Sequence, residues 1–244
     1  MSKTYEALKR AEALRAGQQP ETAAQAPLPP ATDLPVGGAD DLYELRRRLI
    51  GSAVGDAVRT VLVVSALHGE GASSTACLLA RAMADRGRAR ALLVDLNLRT
   101  PSLSRMLKAH GKDGITSVIA GGRTIEDVAQ ATPHDGVRVV TAGNGYAHAI
   151  DVIDNARTLE TVGDLGRHSD VIFIDVAPVT LYPDARAIAP LVDGVILVVE
   201  ADVTPVAVAN RAVELIRDTG ANLLGVVLNK RRDYIPDRVL QLVG

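Results

Sequence analysis

Three separated segments carry groups suited to holding a phosphorylated ligand. Ser65 to Ser74 read SALHGEGASS, with glycines at 69 and 71. Glycines in such a loop let backbone N–H groups approach phosphate oxygens, and a helix starting just after it adds partial positive charge. Asp95 closes the apolar run Leu92-Leu93-Val94, and Asp175 closes Val171-Ile172-Phe173-Ile174. A carboxylate at the end of a buried strand beside a phosphate loop can hold Mg²⁺ directly or through water, and Ser73 can add a hydroxyl ligand. Asn229 closes the last apolar run, where an amide could read an adenine edge. Glu70, Ala72, Ser74 and Arg99 complete the set expected to line a nucleotide.

Each of these residues has a plainer reading. Gly69 and Gly71 also suit an ordinary tight turn between strand and helix. Asp95 and Asp175 also suit polar strand ends or helix caps, and Asn229 a strand cap. The signal lies in their combination after three separate strands. One feature cuts against full activity. A phosphate loop of this kind needs Lys immediately before its Ser or Thr, and Ala72 stands before Ser73. The sequence keeps the shape of the site and omits its main positive charge.

The elements that must position these groups are visible as alternating periodicities. Strands are expected at Thr60–Ser65, Ala91–Asp95, Val137–Thr141, Val171–Asp175, Gly194–Glu200 and Gly225–Asn229. Helices are expected at 72–86, 101–108, 114–120, 124–131, 155–168, 182–191, 204–219 and 235–242. This alternation predicts an α/β fold, a doubly wound and mainly parallel sheet flanked by helices. In such sheets ligands bind beyond the carboxyl ends of the strands, where the three segments fall. Apolar residues make up 47% of the 244 and aromatics 2%, so the core must be aliphatic. That suits strands buried on both faces.

The chain before residue 58 reads differently. Residues 1–16 fit a short amphipathic helix with Tyr5, Leu8, Ala11 and Leu14 near one face. Residues 17–39 hold five of the twelve prolines and read as a flexible linker. Residues 40–244 form the main domain, opening on a helix over 40–50 whose Arg46, Arg47 and Arg48 read as a solvated face. A net charge of −2 gives no general drive toward nucleic acid or anionic lipid. The one cysteine, Cys77, excludes an intrachain disulfide and reads as a small buried hydrophobe. The five histidines lack metal spacing and are assigned to the surface. No apolar stretch approaches the ~20 residues of a membrane span, and the N-terminus does not read as a signal peptide. A cytoplasmic protein is expected.

These motifs resemble those of the bacterial tyrosine kinases that work with polysaccharide chain-length regulators, a branch of the deviant-Walker ATPases that also holds the Min and Par ATPases. Their loop resembles SALPGEGKST, against SALHGEGASS here. Their second motif resembles LLVDADLRRPSL, against LLVDLNLRTPSL at Leu92–Leu103. Their third resembles IDTPPV, against IDVAPV at Ile174–Val179. Further agreement lies in Gly114–Val128, Asp193–Glu200 and Gly225–Asn229, and the likeness spans nearly all of 40–240.

The resemblance implies a P-loop NTPase-like fold and ATP or ADP with Mg²⁺. It casts Asp95 and Asp175 as catalytic carboxylates if the protein is active, with Ser73, Asp95 and Asp175 on the metal. It implies an inner-membrane chain-length regulator as partner, peripheral placement at that membrane, and self-association through Glu44-Leu45-Arg46. The departures weaken the activity. The loop lysine is Ala72, its proline is His68, the second motif's further aspartate is Asn97, and the C-terminal tyrosine cluster is reduced to Tyr234. Losing one charge-assisted phosphate contact, worth ~1.5–3 kcal/mol, weakens binding about 10- to 150-fold. The expected function is a kinase-like regulatory subunit of exopolysaccharide or capsule export that binds nucleotide weakly or not at all. The alternatives are a residually active tyrosine autokinase or ATPase and a Min/Par-like positioning ATPase.

Overall fold

The computed structural model of the protein describes residues 58–85, 89–144, 153 and 156–231. The expected helices at 1–16, 40–50 and 235–242, the proline-rich linker, the Glu44-Leu45-Arg46 segment, His148 and Tyr234 lie outside the described residues.

Seven strands form one sheet: β1 (Thr60–Ser65), β2 (Ala91–Asp95), β3 (Gln130–Ala131), β4 (Val137–Val140), β5 (Val171–Asp175), β6 (Gly194–Glu200) and β7 (Leu223–Asn229). Their order is β3-β4-β2-β5-β1-β6-β7. All neighbours pair in parallel except β3, which runs antiparallel to β4. The strands β1, β2 and β5 are buried along their whole length because both faces are covered. Alternate side chains divide between two cores. Leu62, Leu92, Ile172 and Leu197 serve one face, and Val61, Leu93, Phe173 and Ile196 the other.

The principal helix for the site is α1 (Ala72–Ala84), which follows β1 directly. Ala76, Ala80 and Ala84 are small enough to bring it close to the sheet, while Leu79 and Met83 fill the second core. The short helices α2 (Leu103–Met106), α3 (Ile115–Ile119) and α4 (Ile125–Val128) cross the region between β2 and β4. Helix α5 (Ala156–Asp164) precedes β5, α6 (Asp184–Ile188) follows it, and α7 (Val206–Arg217) joins β6 to β7. No helix among the described residues is long and apolar enough to cross a membrane.

One expected element is wrong in kind. The helix foreseen over 124–131 stops at Val128, and Gln130 and Ala131 pair with Val139 and Arg138 as the edge strand β3. Thr124 starts α4 with a capping box to Asp127. Once Ile125 and Val128 are buried, the backbone gains more by covering the open edge of β4 than by adding a helical turn. Elsewhere the differences are at the ends: β4 stops at Val140, and β7 begins two residues early at Leu223.

Candidate functional site

The loop between β1 and α1 is held open by its own residues. Gly69 and Gly71 have φ of 82° and 93°, conformations that suit glycine. A Cβ on Gly71 would also stand 2.2 Å from Asn229 Nδ2. Glu70 turns inward and is only 3% exposed. One of its carboxylate oxygens accepts the Leu67 N–H at 2.7 Å, and the other accepts the Thr204 hydroxyl. Internal anchoring thus absorbs the loop's own negative charge. The backbone N–H groups from Gly69 to Ser74 have no hydrogen-bond partner among the described residues, whereas Thr75 N–H already returns to Gly71 O at 2.9 Å. Successive free amides at a helix start form a concavity suited to an anion. Ala72 is buried at this start, and Ser73 and Ser74 are half-buried beside it.

The two aspartates stand side by side at the ends of neighbouring strands. Asp95 and Asp175 are opposite one another on β2 and β5, and both are fully buried. One Asp95 oxygen accepts the N–H groups of Ser102 and Leu103, each at 3.0 Å. One Asp175 oxygen accepts the Ser73 hydroxyl at 2.5 Å. The remaining oxygen of each, Oδ1, has no partner. Burial raises the Asp95 carboxyl from an ordinary 3.8 to about 7, against the pull of its backbone hydrogen bonds. Burial first, and then the Asp95 charge, hold Asp175 well above the usual carboxylate range. Two orphaned carboxylate oxygens beside a serine hydroxyl form a hard oxygen donor set that fits Mg²⁺. Cys77 lies below this pair, and burial, with the two aspartate charges, pushes its thiol up to about 12.

Arg99, expected to line the nucleotide, is engaged elsewhere. Arg99 reaches Asp184, with two hydrogen bonds of 2.8 Å to its two oxygens. Its guanidinium also lies 4.2 Å from the Tyr182 ring centre. Tyr182 meets His68 of the loop edge-on, with its hydroxyl 3.2 Å from His68 Nε2. Arg99 therefore borders the loop through Tyr182. Asn97 uses its side-chain oxygen locally, accepting from Thr100 N–H and hydroxyl at 3.2 and 3.3 Å. It shapes the turn after β2.

The end of β7 also meets the loop. Asn229 Nδ2 donates to Glu70 O at 2.8 Å. Lys230, at φ 56°, directs its ammonium to Gly69 O at 2.7 Å and to Glu200 Oε2 at 2.9 Å. Sequence reading found no lysine inside the loop that could replace the missing one. It could not see that Lys230 reaches the loop from another strand. The run Asn229-Lys230-Arg231 was its only visible trace. The histidines assigned to the surface divide: His68 and His110 are exposed, while His134 and His168 are half-buried.

Comparison with known proteins places this geometry. The ParA family model, described as NUBPL iron-transfer P-loop NTPase, matches residues 56–238. The tyrosine-protein kinase CpsD of Streptococcus agalactiae serotype III (strain NEM316) is 30% identical over 178 residues, covering 72% of this chain and 76% of CpsD. The succinoglycan biosynthesis transport protein ExoP of Rhizobium meliloti (strain 1021) is 27% identical over 180 residues, which are 72% of this chain and 23% of ExoP. The solved structure of the chimerical protein CapA2B2 superposes with a TM-score of 0.75 at 26% identity, over 83% of this chain and 89% of that one. The septum site-determining protein MinD of Pyrococcus horikoshii, complexed with Mg-ADP, shares the fold with a TM-score of 0.62 at 24% identity over 76% of each chain. The sheet order, the phosphate loop and these matches agree: the chain belongs to the bacterial tyrosine-kinase family of ParA-type P-loop NTPases.

Proposed function

We propose that this protein is a kinase-like regulatory subunit of an exopolysaccharide or capsule export system, one that has kept a nucleotide site and lost most of its phosphoryl-transfer activity. The observation that carries the reading is the combination of free loop amides and paired carboxylates with Ala72 at the lysine position. The amides of Gly69 to Ser74 suit the phosphates. Ser73, Asp95 and Asp175 would hold a divalent cation, which supplies charge neutralisation for those phosphates. Without a lysine, the two buried carboxylates repel a bare nucleotide wherever they ionise, so binding depends on the cation arriving with it.

Transfer is a different matter. Phosphoryl transfer relies on positioning and on charge placed at the transferring group. Ala72 offers no such charge. Asn97 replaces a carboxylate and spends its oxygen on Thr100. Arg99 is neutralised by Asp184, and Lys230 by Glu200. The polysaccharide context rests on the family and on the name of ExoP. Partnership with an inner-membrane chain-length regulator, and cytoplasmic placement beside it, follow from the same resemblance.

A residually active autokinase is the second reading, favoured by the intact Ser73–Asp175 contact. Incubation with ATP and Mg²⁺ followed by phosphotyrosine mapping separates the two. The regulatory reading expects no labelling above background. Stoichiometric labelling of any tyrosine would overturn it.

A further inference from the structure

We infer that Lys230, together with Asn229, is a positioning residue that orients the loop amides toward a phosphate in place of the absent loop lysine; this rests on the nucleotide-site reading above. The two side chains sit at consecutive positions, Asn229 as the last residue of β7 and Lys230 just beyond it, and donate to consecutive peptide carbonyls of the loop. Lys230 Nζ takes Gly69 O at 2.7 Å, and Asn229 Nδ2 takes Glu70 O at 2.8 Å. A trans peptide is planar, with its N–H opposite its C=O. Drawing these two carbonyls toward β7 therefore turns the N–H groups of Glu70 and Gly71 away from β7. That is the orientation an anion seated in the loop requires. Both N–H groups are without a partner among the described residues, so they stand available.

A simple surface ion pair between Lys230 and Glu200 does not account for the arrangement. The Lys230 side chain is 47% exposed, and such a pair alone contributes little. The second contact, to Gly69 O, is charge-assisted and reaches across 161 positions of sequence. It is made from a backbone at φ 56°, which a lysine adopts at a cost. Glu200 steadies the ammonium, and its own N–H is bonded to Thr204, whose hydroxyl donates to Glu70. Lys230, Glu200, Thr204 and Glu70 thus form one connected support behind the loop. The positive charge acts on the peptide dipoles from outside the cradle, not on the phosphate from within.

The test uses the full chain, Lys230→Met and Lys230→Arg. Residual dipolar couplings of the Glu70 and Gly71 amides in ligand-free protein report their orientation. Calorimetry with MgADP and with magnesium pyrophosphate reports the cradle. Lys230→Met should reduce or change both couplings. It should weaken MgADP and pyrophosphate by the same factor, about tenfold, while Lys230→Arg restores couplings and affinities. Unchanged couplings in Lys230→Met would overturn the proposal, whatever the nucleotide result. So would a loss confined to MgADP, which would put Lys230 on the base or ribose. If the unaltered chain binds neither ligand, the nucleotide reading fails, while the couplings still decide whether Lys230 orients the loop.

Discussion

Replacing Asp95 by Asn should stabilise the protein at alkaline pH in the absence of divalent cation. Asp95 ionises at about 7 in the folded chain, against an ordinary 3.8. The folded state therefore holds a proton that the unfolded state has lost, and stability falls as pH rises from about 4 to about 7. Above that window the penalty is fully expressed. A difference of about three pKa units, at about 1.4 kcal/mol each, corresponds to about 4 kcal/mol for Asp95 alone, and the change also relieves Asp175, which the Asp95 charge holds up. Asn keeps an oxygen for the Ser102 and Leu103 amides and places an N–H donor where the orphaned oxygen stood, beside Asp175. Burying an amide offsets part of this relief, so the expected gain is about 2 kcal/mol or more, at least about 4–8 °C in the thermal midpoint. Urea unfolding in EDTA at pH 8 and at pH 4 measures it. The gain should be present at pH 8 and absent at pH 4. Added Mg²⁺ should stabilise the unaltered chain at pH 8 and the variant much less. A gain of equal size at both pH values, or a loss at pH 8, would refute the ionisation argument.

Further outcomes follow from the same geometry. Arg99→Ala leaves Asp184 buried with no guanidinium and should cost about 3–5 kcal/mol in chemical denaturation, and Arg99→Lys should not restore the bidentate contact. Gly71→Ala combines φ 93° with a 2.2 Å approach to Asn229, so it should displace the β7 contact and abolish MgADP binding seen by calorimetry. Cys77, with its thiol pushed up to about 12, should resist maleimide labelling in the native protein at pH 8 and react readily in urea.

The strands were legible in the sequence because each doubly covered strand is a continuous aliphatic run, as in Val61 to Val64. Asp95 and Asp175 were legible because a charged residue ends such a run. What stayed hidden depends on distant partners. Nothing local in Gln130 and Ala131 announces a strand; the open edge of β4 makes one. Asp184 read as a helix residue, and its burial beneath Arg99 links positions 85 apart. Glu70 read as a ligand contact, yet its carboxylate faces inward to Leu67 and Thr204. The basic group beside the loop comes from Lys230, beyond the reach of any local pattern.

The proposed function pairs a preserved nucleotide cradle with disabled transfer chemistry. It is tested most directly by measuring MgATP affinity and turnover for the unaltered chain beside an Ala72→Lys/Asn97→Asp double variant. The unaltered chain should bind at roughly high-micromolar strength or weaker with background turnover, and the double variant at least about tenfold tighter with measurable turnover. Turnover by the unaltered chain equal to that of the double variant, or nanomolar binding without the lysine, would contradict it.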